Sequence, residues 1–446
     1  MHLIWENLVK NLILLWTGEF KGLDEGEGEY ELFKAIWEAI ASRSSAAADT
    51  IPSAYGSRVP NIAKDRPNVS AEMWAFWTMY LGPVLLRHKF RNIKYYRHFI
   101  ELVRLLNICL QFEITDEEIE DVRTGFIRWV DGYEKMYYQL NVERLSTCPL
   151  TIHALLHIAP GIKFAGPVWC YWAFPTERYC GSLQPGIRSR RFPWASLDRY
   201  VLENAQLTQI KALYNIFDEL SLTQPRAEAP GSLLDPFYPS CILLPPKSPV
   251  RPDKRQLKSI AAALSTRCDA EMRDVGAALK GADVEEWGKV RRVDSDAGDT
   301  MWSCSLGTRA ADSRDATYVR YEMLVDKNAR FARRAVEFEL QTFYGQLTHI
   351  YRVHFPAACA PLNINIPTTF IFAAIRSCIL EPDDPDLRGL DIHHISRHGG
   401  LDVIDITSVQ ALVGRVQDTS DNWAVIDRSG VLARAEWKRD DDDADS

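Results

Sequence analysis

Residues 115–137 read TDEEIEDVRTGFIRWVDGYEKMY. Thr115 followed three residues later by Glu118 has the form of a capping box, in which each residue satisfies the other's unpaired backbone N–H at a helix start. Ile119, Val122, Phe126, Trp129, Val130, Tyr133 and Tyr137 then recur at helical spacing. One helix with so wide an aromatic stripe needs other helices to cover it, and the flanking sequence supplies them. Leu8, Leu12 and Leu15 share a face near the N-terminus. Ser70 can cap a helix carrying Met73, Trp74, Trp77, Tyr80 and Leu81. Phe99, Leu102, Val103, Leu106 and Leu110 mark another from about Tyr95. The first third therefore reads as a helical bundle, with loops over 19–31 and 41–70.

Residues 148–222 read as further helices. "CPLTIHALLHIAPGI" is expected to be a helix ended by Pro160 and Gly161, and a second begins at Pro175 or Thr176. A longer one follows Ser196. A Pro-rich linker over 223–256 precedes two short helical patterns within an otherwise irregular connector, 257–342. From Phe343 the period changes from 3.6 to 2: Phe343, Leu347, Tyr351, Val353 and Phe355 suit a strand. "TTFIFAAIRSCIL" and "DVIDITSVQALVGRV" suit two more, and "NWAVIDRSGVLARAEW" a hairpin turning at Asp427 to Gly430. The fold class is mixed: mainly helical, with a small all-β domain over 343–438 and an acidic tail, 439–446.

Composition sets limits on function. The chain has 446 residues, 46% hydrophobic and 25% charged. Its formal charge is −8, but removing the five aspartates of Asp440 to Asp445 leaves −3, so any basic footprint must be local. Nine scattered cysteines without CxxC spacing suit reduced thiols better than a disulfide framework. The opening helix carries Glu6 and Lys10 and does not read as a secretion signal, which leaves nuclear or cytoplasmic expectations. No run approaches ~20 uninterrupted apolar residues, so no membrane helix is expected. No phosphate-binding glycine loop, dinucleotide fingerprint, serine-hydrolase elbow or kinase set is present.

Several side chains could carry chemistry. Glu177 sits among aromatics in "WAFPTERYCG", residues 172–181. It suits either a first-turn glutamate stabilised by the helix dipole and an arginine, or a metal-binding carboxylate. Arg178, Arg188, Arg190 and Arg191 suit phosphates or a solvated face. Lys94 and Arg97, in the basic and aromatic stretch 87–104, suit nucleic acid or simply a polar helix face. His153 and His157, at i and i+4, could clamp a metal or play ordinary core or surface roles. The helices at 257–280 could form a helix-turn-helix, though only Arg273 and Lys280 are basic in the second.

Taken together, "PLTIHALLHIAPGIKFAGPVWCYWAFPTERYCGSLQPGIRSR" (149–190) resembles the segment after the catalytic core in transposases of CACTA (En/Spm-type) DNA transposons. The matching residues are His153, His157, Gly166, Pro167, Val168, Trp172, Phe174, Pro175, Glu177 and Arg178. The opening "MHLIWENLVKNLILLWTG" is similar to the family's helix after the core sheet, with His2 and Asn7 in place. The region from about Val319 to Trp437 is similar to fungal members. The resemblance implies an RNase H-like transposase that hydrolyses phosphodiesters and transfers strands through acids holding Mg²⁺ or Mn²⁺. Glu177 would be the third acid and the sole metal ligand here, and His2 a core-adjacent residue. Residues 1–18 would be a remnant helix of the core, 19–147 the insertion that interrupts it, and 148–222 the post-core segment. Two earlier aspartates have no counterpart in this sequence. The chain is therefore expected to be the C-terminal part of such an enzyme, inert alone and without its own cofactor. Its expected partners are transposon-end DNA, and a second copy or a full-length transposase. The alternative is a nucleic-acid-binding or protein-interaction module without catalysis. A separate metalloenzyme using His153, His157 and Glu177 is the remaining reading.

Overall fold

The computed structural model describes residues 2–23, 28–217, 219–220, 230–244, 251–293, 300–306, 314–331, 333–419 and 422–429. A π-helical turn, His2–Leu8, runs into α1 (Val9–Trp16). There follow α2 (Lys34–Ala46), α3 (Ala71–Phe76), α4 (Gly82–Leu85), α5 (Ile93–Cys109) and α6 (Asp116–Tyr133). The capping box at α6 forms in both directions, and Ser70 accepts from the Met73 N–H at the start of α3. Leu8, Leu12, Leu15, Phe99, Val122, Phe126, Trp129, Tyr133 and Tyr137 are all buried in one core. Within it α5 and α6 hold each other twice. His98 Nε2 meets the Trp129 carbonyl at 3.0 Å, and Trp129 Nε1 donates to the His98 carbonyl at 2.9 Å.

Two local expectations need correction. Residues 41–46 continue α2, because Ala41 and Ser44 are buried there and Ser44 Oγ accepts from Trp77 Nε1 at 3.0 Å. Pro160 and Gly161 do not end a helix. The chain forms α7 (Leu150–Ala154), a 3₁₀ turn (Leu155–His157), then α8 (Ile158–Ala165). The turn restarts the hydrogen-bond ladder, so Pro160 falls in a first turn, where its missing N–H costs nothing. Gly166, with φ at +85°, ends α8 instead. Two helices, α9 (Phe174–Leu183) and α10 (Pro193–Tyr214), then lie at the surface with no buried residue in either.

The remainder is a mostly antiparallel β region with α11 (Lys254–Cys268) and α12 (Met272–Ala278) packed on it. It starts earlier than the sequence predicts. Strands β1 (Leu233–Leu234) and β2 (Cys241–Leu244) lie in the expected linker. In the expected connector lie β3 (Asp283–Trp287), β4 (Lys289–Arg292), β5 (Thr300–Trp302) and β6 (Tyr318–Asp326). Most of these strands are too short to display a period of two. β1, β2, β4 and β5 form one sheet. The larger sheet runs β10 (Val409–Leu412), β6, β7 (Phe338–Phe355), β8 (Thr368–Leu380), β9 (Ile392–Asp405), β12 (Trp423–Ile426), β11 (Gly414–Gln417), with β3 on the far end of β7. Its two end strands, β10 and β11, are consecutive in the chain with Val413 alone between them, so the sheet must curl until its edges meet. The observed hairpin joins β11 and β12; residues 430–437 of the expected one lie outside the described residues.

The helical and β parts share a core. Leu387, Leu390, Ile392, Val416, Ala424 and Ile426 belong to the same buried cluster as α1 through α8. Polar groups stitch the seam. The buried Tyr55 hydroxyl lies 3.1 Å from the carbonyls of both Leu412 and Ile426. Arg87 pairs with Asp384 at 2.6 Å and Lys89 with Asp418 at 3.2 Å.

Two measurements test this account. Tyr55→Phe removes the one hydroxyl proton that lies between these two carbonyls, and urea titration should show the chain about 1–3 kcal/mol less stable. Burial also depresses His98 from 6.5 to about 4, against a smaller opposing pull from its bond to the Trp129 carbonyl. The unfolded chain therefore takes up this proton first. Stability from His98 is whole above pH 6.5 and is lost as pH falls toward 4, by about 3 kcal/mol. His98→Gln should remove that component from the pH dependence of urea midpoints.

Candidate functional site

The first turn of the chain is anchored by three apolar side chains, Ile4, Trp5 and Leu8, all sunk into the helical core. Their spacing leaves His2 and Asn7 exposed and Glu6 half-buried on the outer side. The wide π-helical turn brings Asn7 beneath His2, and its Nδ2 donates to the His2 carbonyl at 2.6 Å. Glu6 meets the His2 Nδ1 atom from one turn along.

Glu177 approaches the same imidazole from the other side. It sits in the first turn of α9, where Pro175 presets the backbone for a helix start. Its backbone N–H donates to the Ala173 carbonyl at 2.9 Å. Its Oε1 lies 3.2 Å from His2 Nε2, so two residues 175 positions apart in sequence meet side by side. The cluster is open to solvent, with the His2 side chain 63% and the Glu177 side chain 49% exposed. Glu6 was missed by sequence reading, although its i, i+4 relation to His2 on one helix face was there to be seen.

Close by, burial raises the Glu72 carboxyl on α3, opposed by the attraction of Arg428 and Arg178. Arg178 thus belongs to this neighbourhood. Arg188, Arg190 and Arg191 lie beyond α9 on the exposed approach to α10. None has a carboxylate partner among the described residues, and the Arg191 guanidinium lies over the Phe192 ring at 5.3 Å. Lys94 and Arg97 are placed elsewhere. Lys94 pairs with Glu29 at 3.0 Å, while Arg97 pairs with Asp386 at 3.0 Å on the β side of the seam. His153 and His157 face each other, Nε2 to Nε2 at 3.1 Å, and Glu177 turns to His2 and not to them. The expected helix-turn-helix consists of α11 and α12, whose buried residues Ile260, Leu264 and Val275 pack against β7 and β8; Arg273 and Lys280 are exposed.

The Mg²⁺ or Mn²⁺ implied by the resemblance does not fit these residues as they stand. Such an ion takes oxygen ligands in near-octahedral geometry at about 2.0–2.1 Å. Here the imidazole stands between the two carboxylates, Glu6 on one nitrogen and Glu177 on the other, so they do not converge on a common point. Among the described residues, no group of three or more His, Cys, Asp or Glu side chains is placed to hold a metal ion. What the arrangement can do unaided is orient a carboxylate. His2 Nε2 stands 3.2 Å from the Glu177 carboxylate, and Glu6 is hydrogen-bonded to the other ring nitrogen.

An exposed cluster of this kind adds little to stability, since ion pairs in solvent are worth about 0–1 kcal/mol. His2→Ala and Glu177→Gln should each shift the urea-derived stability by less than about 1 kcal/mol. A much larger loss would make the cluster a structural clasp. In comparisons with known proteins, no family model, no curated protein and no solved structure matches this chain.

Proposed function

We propose that this is a transposase-derived, DNA-associated protein related to the CACTA (En/Spm-type) cut-and-paste enzymes. In this reading the helical block before Glu177 is the insertion of an RNase H-like core, and Glu177 is the acid that follows it. The observation that carries the proposal is the meeting of His2 and Glu177 at 3.2 Å. Each is named by a separate stretch of the resemblance, and the two stretches lie far apart in sequence. Hydrolysis of a phosphodiester by such an enzyme needs further acids beside Glu177, and those would have to come from outside the described residues. On the reading proposed, this chain contributes DNA contact and one acid rather than a complete centre. Arg188, Arg190 and Arg191 are its phosphate-facing groups.

A second reading, a protein-interaction module without catalysis, draws support from α10. Trp194, Leu202, Ile210, Leu213 and Tyr214 project from it, all exposed. Large apolar side chains left exposed along a helix that buries none of its residues suit a protein partner. Capture of a partner that survives nuclease treatment would favour that reading.

The DNA-associated reading is tested by binding a fluorescent duplex across a salt series. Binding at low salt should weaken steeply as salt rises. The variant carrying Arg188→Ala, Arg190→Ala and Arg191→Ala should lower the slope of log K against log salt by about 2.7, three lost phosphate contacts at about 0.9 each. A plasmid-nicking assay of the same chain with Mg²⁺ or Mn²⁺ should give no product. The absence of duplex binding at low salt would sink the DNA-associated reading, and robust nicking would sink the account of an incomplete centre.

A further inference from the structure

Strands β6 and β7 continue together past the rest of the sheet. β10 follows β6 only as far as Tyr321, and β8 follows β7 only from Gly345 onward. Beyond those points β6 and β7 pair solely with each other, from Glu322 opposite Thr342 to Asp326 opposite Phe338. Five residue pairs make a free two-stranded ribbon roughly 17 Å long at about 3.4 Å per residue. One face is open, with Leu324 65% and Phe338 64% exposed and Leu340 exposed beside them, while Met323 on the other face packs against the core of the sheet.

The loop at the end of this ribbon is built, not slack. The Asp326 carboxylate accepts the N–H groups of Asn328 at 2.9 Å and Glu337 at 3.0 Å, closing the loop across its base. Asn328 Nδ2 donates to the Ala335 carbonyl at 2.8 Å, and the Arg334 N–H to the Phe331 carbonyl at 2.9 Å. Residues 327–334 contain Lys327, Arg330, Arg333 and Arg334 and no acid. Lys327 turns back to Glu337 and Glu339 on the stem, and Glu322 is met by Arg320. That leaves three guanidinium groups at the tip, all exposed, with no carboxylate partner among the described residues. The Arg334 guanidinium lies over the Phe331 ring at 4.5 Å, so cation and aromatic form one surface.

We propose, on the DNA-associated reading above, that this ribbon is a second nucleic-acid contact, whose tip enters the major groove of duplex DNA. That groove, about 12 Å wide, admits a two-stranded β-ribbon. Arg330, Arg333 and Arg334 take phosphates along its walls, and Phe331 faces the base edges. Charge selects the occupant. Three tip arginines without carboxylate partners among the described residues are matched by a polyanion, while the acids of the stem, Glu322 beside Arg320 and Glu337 and Glu339 sharing Lys327, lie behind the tip. The exposed apolar face of the stem borders the groove without being required to fill it.

The test uses the full chain and three forms of it: wild type, the variant with Arg188, Arg190 and Arg191 all changed to Ala, and the variant with Arg330, Arg333 and Arg334 all changed to Ala. Circular dichroism and urea midpoints first establish that both variants keep the fold, which is expected because all six side chains are exposed. Duplex affinity is then read by anisotropy over a salt series. The ribbon variant should lose at least about tenfold in affinity at low salt and about 2.7 from the salt slope. A photo-crosslinking residue replacing Phe331 should attach to the duplex. If wild type binds and only the first variant weakens, the ribbon proposal falls and the DNA reading stands. If only the ribbon variant weakens, the ribbon proposal holds and the run at 188–191 loses its assigned role. If wild type binds no duplex at any salt, both fall. If DNA binding is unchanged in the ribbon variant while its sedimentation changes, the ribbon is a protein contact and the proposal is overturned.

Discussion

The architecture depends on a core that does not stop at the boundary between helices and sheet. Leu387, Leu390, Ile392, Val416, Ala424 and Ile426 lie in the same apolar cluster as the aromatic stripe of α6. A bundle of short helices around so many tryptophans would leave its far side wet if the sheet did not cover it. The seam is then fixed in register by groups that have nowhere else to go. The Tyr55 hydroxyl sits between two strand-end carbonyls, and Arg87 and Asp384 neutralise each other where water is scarce. Burying either charge without the other would be strongly unfavourable, so the pair constrains alignment even where its net contribution is small.

That constraint reaches the surface cluster through the N-terminal turn. Ile4, Trp5 and Leu8 are held by the core, and their burial sets which way His2 and Glu6 face. α9 contributes Glu177 from the other direction and has no buried side chain of its own. One partner is thus rigidly mounted, while the other rides on a helix that the described residues leave largely uncovered. A carboxylate mounted this way can be reoriented by whatever covers α9 and α10.

The sequence displayed those features whose cause is local. The capping box at Thr115 and the α6 stripe are each contained in one helix, and both form. The alternation after Phe343 is similarly local, and β7 follows it, whereas 402–416, expected as one strand, is divided among the end of β9, a 3₁₀ turn at Ile406–Ser408, β10 and β11. What was hidden depends on distant partners. The strands between 233 and 302 are two to five residues long, so no period could show, and only pairing defines them, β1, β2, β4 and β5 with one another and β3 with β7. The Ala and Ser residues at 41–46 offer no apolar stripe, yet they fit against Trp77 because they are small. His2 and Glu177 were singled out by resemblance, but no spacing rule could place them in contact. The projecting ribbon was invisible for the same reason: a strand pair outrunning its neighbours is a property of the sheet.

The electrostatics divide by the same logic. Basic residues on α5 and just before it look, in sequence, like the most concentrated cationic stretch available. In the folded chain Arg87, Lys89, Lys94 and Arg97 all have acidic partners, three of them across the seam, and Arg104 donates to the carbonyls of Pro385 and Asp386. Cations matched by the protein's own carboxylates hold its parts together and present little field beyond a Debye length of about 8–10 Å. The arginines at 188–191 and at 330–334 have no such partners among the described residues. On the DNA-associated reading proposed above, patches of this kind in a body of nearly neutral charge are where a polyanion would be drawn. A dense basic run in sequence is therefore a poorer guide to a binding surface than the question of which bases the fold leaves unmatched.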